Sequence, residues 1–241
     1  MEEKKRFWEI DALRGAAIIM MVVFHFLFDL NYFSVYPVGV YTGFWWAFAR
    51  ATATVFILLV GISLTLSYSR VRESMTSGQI SMKYAIRGMS VFGYGLLITL
   101  ATWVLLPSGV IVFGVLHFIG VGIMLSRPLL NRKWANLGFG IALICIGIWF
   151  YSLRFGFPWL LWLGLRPATF YTLDYFPLLP WLGVMLIGIF IGHRLYPGGR
   201  QRIKERSGPV VNQLSWLGRH SLFIYFIHQP ILIALLYAVV L

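Results

Sequence analysis

Long runs without charge restrict the fold of this chain more than any other feature. Neither Ala51–Ser69 nor Gly88–Ser126 contains an Asp, Glu, Lys or Arg residue. A helix needs about 20 mainly apolar residues to cross a bilayer. The 241 residues are 59% hydrophobic and only 12% charged. We therefore predict an integral membrane protein that forms a single transmembrane domain over residues 1–241.

Seven transmembrane helices account for the apolar runs. Residues 88–126 are too long for one span, and the Pro-Ser-Gly sequence at 107–109 predicts a turn between two helices. A Trp-rich apolar stretch between 154 and 176 is too short to span and is predicted to be interfacial or re-entrant. The predicted fold is an all-α compact bundle, with this segment before the sixth helix. The other five spans are 13–32, 51–69, 134–153, 177–195 and 220–241.

Positive charges alternate between the connections. The first and third connections have none, and the fifth has only Arg154 and Arg166. Lys and Arg concentrate in cytoplasmic loops. We therefore expect a multi-pass protein of the cell membrane, with its N-terminus cytoplasmic and its C-terminus extracytoplasmic. The net charge of +12 is then explained by the basic residues that set membrane topology, and no nucleic-acid partner is expected. The basic residues assigned to the inner side are Lys4, Lys5, Arg6, Arg14, Arg70, Arg72, Lys83, Arg87, Arg127, Arg132, Lys133, Arg194, Arg200, Arg202, Lys204, Arg206 and Arg219.

The first helix carries polar residues at helical spacing. Arg14 and His25 are eleven residues apart, which is three turns within about 20° and about 16 Å of rise. Asp11 precedes Arg14 by one turn, and Asp29 follows His25 by one turn. Charged residues inside a membrane usually face the protein interior or a wet cavity and mark functional sites. We name Asp11, Arg14, His25 and Asp29 the polar stripe.

Other polar residues are expected at similar depth or near the two mouths of the bundle. His117 and His228 are predicted near the midplane, and Ser221 and Tyr225 share a helix face with His228 by spacing. Arg50 is expected to be a buried charge in the outer part of the second helix. The candidate catalytic residues are His25, Arg14, Asp29, His228 and His117. The candidate substrate-binding residues are Arg50, Asp174 and Tyr225.

Three kinds of site fit midplane histidines. Two of them facing each other could bind haem, and a chain of them could relay protons in a small-molecule or ion transporter. A histidine could also act as a general base at neutral pH, with an anionic substrate held at a basic mouth. A single membrane histidine such as His117 could instead be a hydrogen-bonded packing residue with no role in chemistry. Arg14 could extend its side chain to a lipid phosphate.

Several blocks of the sequence resemble a known family. The first block is RFWEIDALRGAAIIMMVVFH, which contains Arg14, ten further residues and His25. It is similar to the opening helix of transmembrane acyltransferases, and most similar to small prokaryotic members of the heparan-α-glucosaminide N-acetyltransferase catalytic family. Later blocks follow in the same order: FILLVGISLTLSYSR, FGVLHFIGVGIMLS, DYFPLLPWLGVMLIGIFIGH and WLGRHSLFIYFIHQPIL. The larger relatives have extra spans or a lumenal domain. Neither is expected in this chain, so the resemblance does not identify the acceptor.

The resemblance implies an enzyme that uses acetyl-CoA or another acyl-CoA from the cytoplasm. His25 would be the catalytic residue, and Arg14 would contact the donor or orient the site. A small-molecule or glycan acceptor, carrying an amine or a hydroxyl, would arrive from the other side. No metal is needed for such a transfer. The implied donor-binding residues are Arg14, Arg70, Arg72, Lys83, Arg87, Arg219 and Ser221.

The sequence does not specify the acceptor or the length of the acyl chain. It is compatible with direct transfer and with an acyl-histidine intermediate, and with any of the three midplane histidines as the catalytic one. Membrane lipid is an expected partner, and a homodimer is compatible with the sequence.

Overall fold

A computed structural model describes residues 7–201, 203–204 and 207–239. Within these ranges the chain forms eight α-helices and two short 3₁₀ turns, and the only β-type pairs are two isolated bridges. The prediction of an all-α fold is therefore confirmed. The helices are α1 (Trp8–Tyr32), α2 (Gly43–Ser69), α3 (Ser77–Leu105), α4 (Val115–Ser126), α5 (Lys133–Tyr151), α6 (Leu178–Leu195), α7 (Pro209–Arg219) and α8 (Ser221–Val239).

Six of these helices are long and apolar enough to cross a membrane. They are α1, α2, α3, α5, α6 and α8, and they contain between 18 and 29 residues each. At about 1.5 Å per residue, even the shortest approaches the thickness of a bilayer core. The chain is accordingly a multi-pass membrane protein.

The fourth predicted span corresponds to α4, which has 12 residues and a rise of only about 18 Å. Most of α4 is buried, and it packs against α3 and α6. Backbone that is surrounded by protein does not need a full lipid-spanning helix. A crossing at α4, and so the count of seven, stays a prediction.

The start of α3 differs most from the sequence-based prediction. α3 begins at Ser77 rather than Gly88, because Thr76 caps it. The Thr76 hydroxyl accepts from the Gln79 N–H at 3.3 Å, and the Gln79 side-chain oxygen accepts from the Thr76 N–H at 2.9 Å. The assignment of Lys83 and Arg87 to a loop was therefore wrong, since both lie in the first turns of α3.

The helices group into two compact units. The first contains α1, the part of α2 up to Leu59, α7 and α8. The second runs from Val60 to Arg200 and contains the rest of α2 with α3 to α6. The description of residues 1–241 as one domain stays a prediction.

In the first unit, α1 and α7 cross at unusually short range. A Cβ atom at Gly15 would collide with the carbonyl of Leu214, and one at Gly218 would collide with the carbonyl of Asp11. Only glycine permits this approach on either side. α7 was not predicted as a helix, since its residues were assigned to a basic connection; Pro209 at its first position favours a helix start.

In the second unit, small residues bring the helices together around α4 and α6. A Cβ atom at Gly61 would collide with the Met185 carbonyl of α6. The Thr65 hydroxyl donates to the Ile189 carbonyl at 3.1 Å. Helix packing in membranes relies on such small residues and on inter-helix hydrogen bonds.

The segment between α5 and α6 contains turns and no α-helix, with a bridge between Phe155 and Pro167. Its Tyr175 hydroxyl donates to the Leu161 carbonyl at 2.7 Å. An interfacial or re-entrant position for this segment stays a prediction.

Candidate functional site

Two histidines meet between α1 and α8 in the first unit. The ring centroids of His25 and His228 are 4.8 Å apart, and the rings are inclined at 77°. His228 is buried, with 7% of its surface exposed, whereas His25 is half-buried. The packing of α1 against α8 therefore joins two of the three predicted midplane histidines.

Backbone carbonyls fix the tautomer of both rings. The Nδ1–H of His25 donates to the Met21 carbonyl at 2.9 Å, and the Nδ1–H of His228 donates to the Tyr225 carbonyl at 2.8 Å. A carbonyl oxygen can only accept, so Nδ1 must carry the proton of each neutral ring. The lone pair is then on Nε2 in both rings, which is the arrangement that a general base requires.

An acid and an amide lie beside this histidine pair. Asp29 is 2% exposed, and its Oδ1 accepts from the Gln229 Nε2–H at 2.6 Å. Gln229 was missed in the sequence analysis. A polar residue directly after His228 in an otherwise apolar helix was the available signal.

Three atoms of this cluster are buried without a hydrogen bond to the described residues. They are Asp29 Oδ2, Gln229 Oε1 and His228 Nε2. Most buried polar side-chain atoms in proteins have a partner, so each exception calls for an explanation.

Arg14 lies at the other end of the polar stripe. Its Nη1 is 3.1 Å from Asp11 Oδ1, and the same nitrogen donates to the Gly218 carbonyl at 3.5 Å. Gly218 belongs to the last turn of α7, where carbonyl groups attract a cation. The stripe thus faces α7 at Arg14 and α8 at His25 and Asp29, as expected for polar residues that avoid lipid.

The other candidates on α7 and α8 have different surroundings. Tyr225 contacts His228 through its ring, with centroids 5.7 Å apart. Ser221 is the half-buried first residue of α8, and Arg219 is the exposed last residue of α7.

In the second unit, His117 has both ring nitrogens engaged by the protein. The Gly114 N–H donates to Nδ1 at 3.2 Å, and Nε2–H donates to the Thr99 hydroxyl at 3.2 Å. The Thr99 hydroxyl in turn donates to the Ile111 carbonyl at 2.6 Å. His117 is 2% exposed. This geometry matches the packing role that the sequence left open for His117.

The structure corrects the expected burial of Arg50. Arg50 is exposed, and its guanidinium lies 5.7 Å from the centre of the Trp46 ring. The expectation of burial failed because the first two turns of α2, from Gly43 to Arg50, contain no buried residue. Asp174 Oδ2 accepts from the Val115 N–H at 3.1 Å, so this carboxylate stabilises the N-terminus of α4.

The remaining donor-binding candidates lie in the second unit. Arg70, Arg72 and Arg87 are exposed and Lys83 is half-buried. Arg72 pairs with Glu73 at 3.0 Å. A basic donor mouth that combines these residues with Arg14 and Arg219 stays a prediction.

Fold and site together define a multi-pass helical membrane protein with a buried polar cluster, centred on two histidines, between its first and last helices. A family model described as heparan-alpha-glucosaminide N-acetyltransferase, catalytic, matches residues 6–230. The chain therefore belongs to this family, and the resemblance seen in its sequence is confirmed. Membership of an acetyltransferase family indicates a membrane acyltransferase. Searches among curated proteins and among solved structures gave no match to the chain.

Proposed function

We propose that this protein transfers an acyl group from cytoplasmic acyl-CoA to an amine or hydroxyl of a sugar or glycoconjugate on the extracytoplasmic side. His25 is the catalytic residue, acting as base or as nucleophile. The observation that carries the proposal is the fixed tautomer of His25. Its Nδ1–H is held by the Met21 carbonyl, so Nε2 has a lone pair available for chemistry.

In direct transfer, His25 Nε2 takes the proton of the attacking N–H or O–H group as that atom adds to the thioester carbonyl. The tetrahedral intermediate then collapses, the C–S bond breaks, and the CoA sulfur takes the proton from the imidazolium. In the covalent alternative, Nε2 itself attacks the thioester and releases CoA. CoA leaves as a thiolate. The acceptor then attacks the acyl-imidazolium, the bond from Nε2 to the acyl carbon breaks, and the acceptor's proton passes to the CoA thiolate, which leaves neutral His25.

His228 supports His25 in either route. Its ring lies against that of His25, so it fixes the position of the imidazole. Rigid support of a reacting group preserves the geometry that the reaction needs.

The donor is proposed to bind through its phosphates at the inner ends of the helices. Arg14 lies near one end of the polar stripe, about three turns from His25. Arginine forms strong charge-assisted hydrogen bonds with phosphate. The proposed phosphate contacts are Arg14, Arg70, Arg72, Lys83, Arg87 and Arg219, with Ser221 nearby along the chain.

Acceptor-dependent release of CoA tests the function. Purified protein in lipid nanodiscs is given acetyl-CoA, and free thiol is measured with and without D-glucosamine, which carries both an amine and hydroxyls. We expect thiol release that rises with glucosamine concentration and saturates. Proton-coupled uptake of a solute into proteoliposomes, with no thiol release under any condition, would favour a transporter and contradict the proposal.

A further inference from the structure

The three partnerless buried atoms between α1 and α8 share one chemical property. Asp29 Oδ2 is a carboxylate oxygen, and Gln229 Oε1 is an amide oxygen. His228 Nε2 carries a lone pair because Nδ1 of that ring donates to Tyr225. All three are therefore hydrogen-bond acceptors. A group of buried acceptors is matched by a ligand that brings several N–H or O–H donors.

Asp29 and Gln229 are joined by a short hydrogen bond, which suits them to hold a ligand together. The Gln229 amide donates to Asp29 Oδ1 at 2.6 Å and so orients the carboxylate. This bond leaves one oxygen on each side chain without a partner in the described structure. We call these two residues the Asp29–Gln229 clamp.

The clamp lies beside the proposed catalytic histidine. Asp29 follows His25 by one helical turn on the same face of α1. Gln229 is adjacent in sequence to His228, whose ring contacts that of His25. A molecule that donates hydrogen bonds to the clamp would therefore have its polar groups next to the His25 imidazole.

We infer that the Asp29–Gln229 clamp is the part of the site that holds the acceptor substrate. Two or more donors of the acceptor, from an amine or from hydroxyls, bind Asp29 Oδ2 and Gln229 Oε1. This contact aims the attacking atom at the thioester beside His25. The inference rests on the proposed function for the identity of the bound molecule, and it adds Gln229 to the residues of the site.

Two isosteric variants separate this role from a structural one. Asp29→Asn keeps Oδ1 as an acceptor for Gln229 but replaces the other oxygen by an N–H₂ donor. Gln229→Met removes the amide at similar size. Gln213→Met is the matched control, since Gln213 is an exposed glutamine of α7 in the same unit.

Binding is measured without turnover, by saturation-transfer NMR of D-glucosamine on the full chain in nanodiscs with no acyl-CoA present. We expect both clamp variants to weaken glucosamine binding at least tenfold and Gln213→Met to leave it unchanged. Thermal protection by acetyl-CoA should stay within twofold of wild type in all three. Because no acyl transfer takes place in this test, its outcome is independent of whether thiol release occurs.

Three results would overturn the inference. Wild-type protein could give no glucosamine signal. Asp29→Asn could bind glucosamine within twofold of wild type. The clamp variants could lose acetyl-CoA protection together with glucosamine binding, which would show that Asp29 and Gln229 only hold the helices together.

Discussion

His25 and His117 both lie in apolar helices, yet their hydrogen bonds give opposite tautomers. His25 donates from Nδ1 to its own helix, while His117 accepts at Nδ1 and donates from Nε2 to Thr99. Spacing along the sequence placed both residues at a similar depth. It could not separate them, because the partners of His117 come from the turn before α4 and from another helix.

Spacing along the sequence also cannot identify polar partners that lie on distant parts of the chain. Helical periodicity correctly put Arg14, His25 and Asp29 on one face of α1. The bond from Gln229 to Asp29 joins residues 200 positions apart, and no local pattern encodes it. Arg50 was correctly placed in the second helix, but its exposure was missed, because the first two turns of α2 contain no buried residue.

Arg14 is predicted to bind the donor as well as to hold α7. Arg14→Ala removes the pair with Asp11 and a possible phosphate contact, so we expect lower thermal protection by acetyl-CoA than in wild type. Protection of the wild type should weaken at high salt because exposed charges are screened. Thermal unfolding at several acetyl-CoA concentrations measures both effects.

Arg154→Ala is the control for Arg14→Ala. Arg154 is exposed, and its guanidinium donates to the Tyr151 and Leu153 carbonyls on the side that the charge pattern places outside. We expect donor protection to be unchanged in this variant. An equal loss in both variants would mean that Arg14 is not at the donor site.

At the scale of helices, the sequence predicted the apolar elements well and the polar boundaries poorly. Five predicted spans correspond to long helices, because apolar composition dominates the signal. Their ends agree within two residues, except that α1 begins five residues and α2 eight residues earlier than predicted. The start of α3 was shifted by eleven residues, although Thr76 and Gln79 form a recognisable capping box. α7 was hidden in a connection rich in basic residues, glycine and proline.

The α1–α7 crossing predicts a strong dependence on glycine. In Gly15→Ala the new methyl group collides with the Leu214 carbonyl, and because backbone must move, we expect a loss of about 1–3 kcal/mol in unfolding free energy. The midpoint of thermal unfolding in detergent measures the change.

Gly138→Ala is the matched control for the crossing. Gly138 lies within α5, and a Cβ atom there meets nothing within 4 Å. Alanine favours a helix over glycine by about 1 kcal/mol, so this variant should be as stable as wild type or more stable. Equal stability of Gly15→Ala and wild type would contradict the close packing of α1 on α7.

At the scale of the whole chain, the number of membrane crossings depends on α4. In the described part of the chain, six helices are long and apolar enough to span a membrane. Six crossings would place both termini on one side. The alternation of Lys and Arg instead requires a crossing at α4, with cytoplasmic charges at Arg127, Arg132 and Lys133. Because α4 is buried among neighbouring helices, it could cross the membrane although it is short.

A terminal reporter distinguishes the two topologies. We expect a cysteine-reactive or enzymatic reporter at the C-terminus to be accessible only from outside the cell, and one at the N-terminus only from the cytoplasm. Labelling of intact and of permeabilised cells measures this. A C-terminal reporter that reacts only after permeabilisation would contradict seven crossings.

Following a labelled acetyl group from donor to product determines whether His25 performs acyl transfer. Wild-type, His25→Gln and His117→Gln proteins receive acetyl-CoA with a ¹³C-labelled acetyl group and D-glucosamine, and mass spectrometry measures labelled acetyl-glucosamine. Glutamine keeps hydrogen-bonding ability but is no base at neutral pH. We expect no product from His25→Gln, acetyl-CoA binding within about tenfold of wild type, equal to about 1.4 kcal/mol, and a smaller loss of product from His117→Gln. Wild-type amounts of labelled product from His25→Gln would show that His25 does not perform the chemistry.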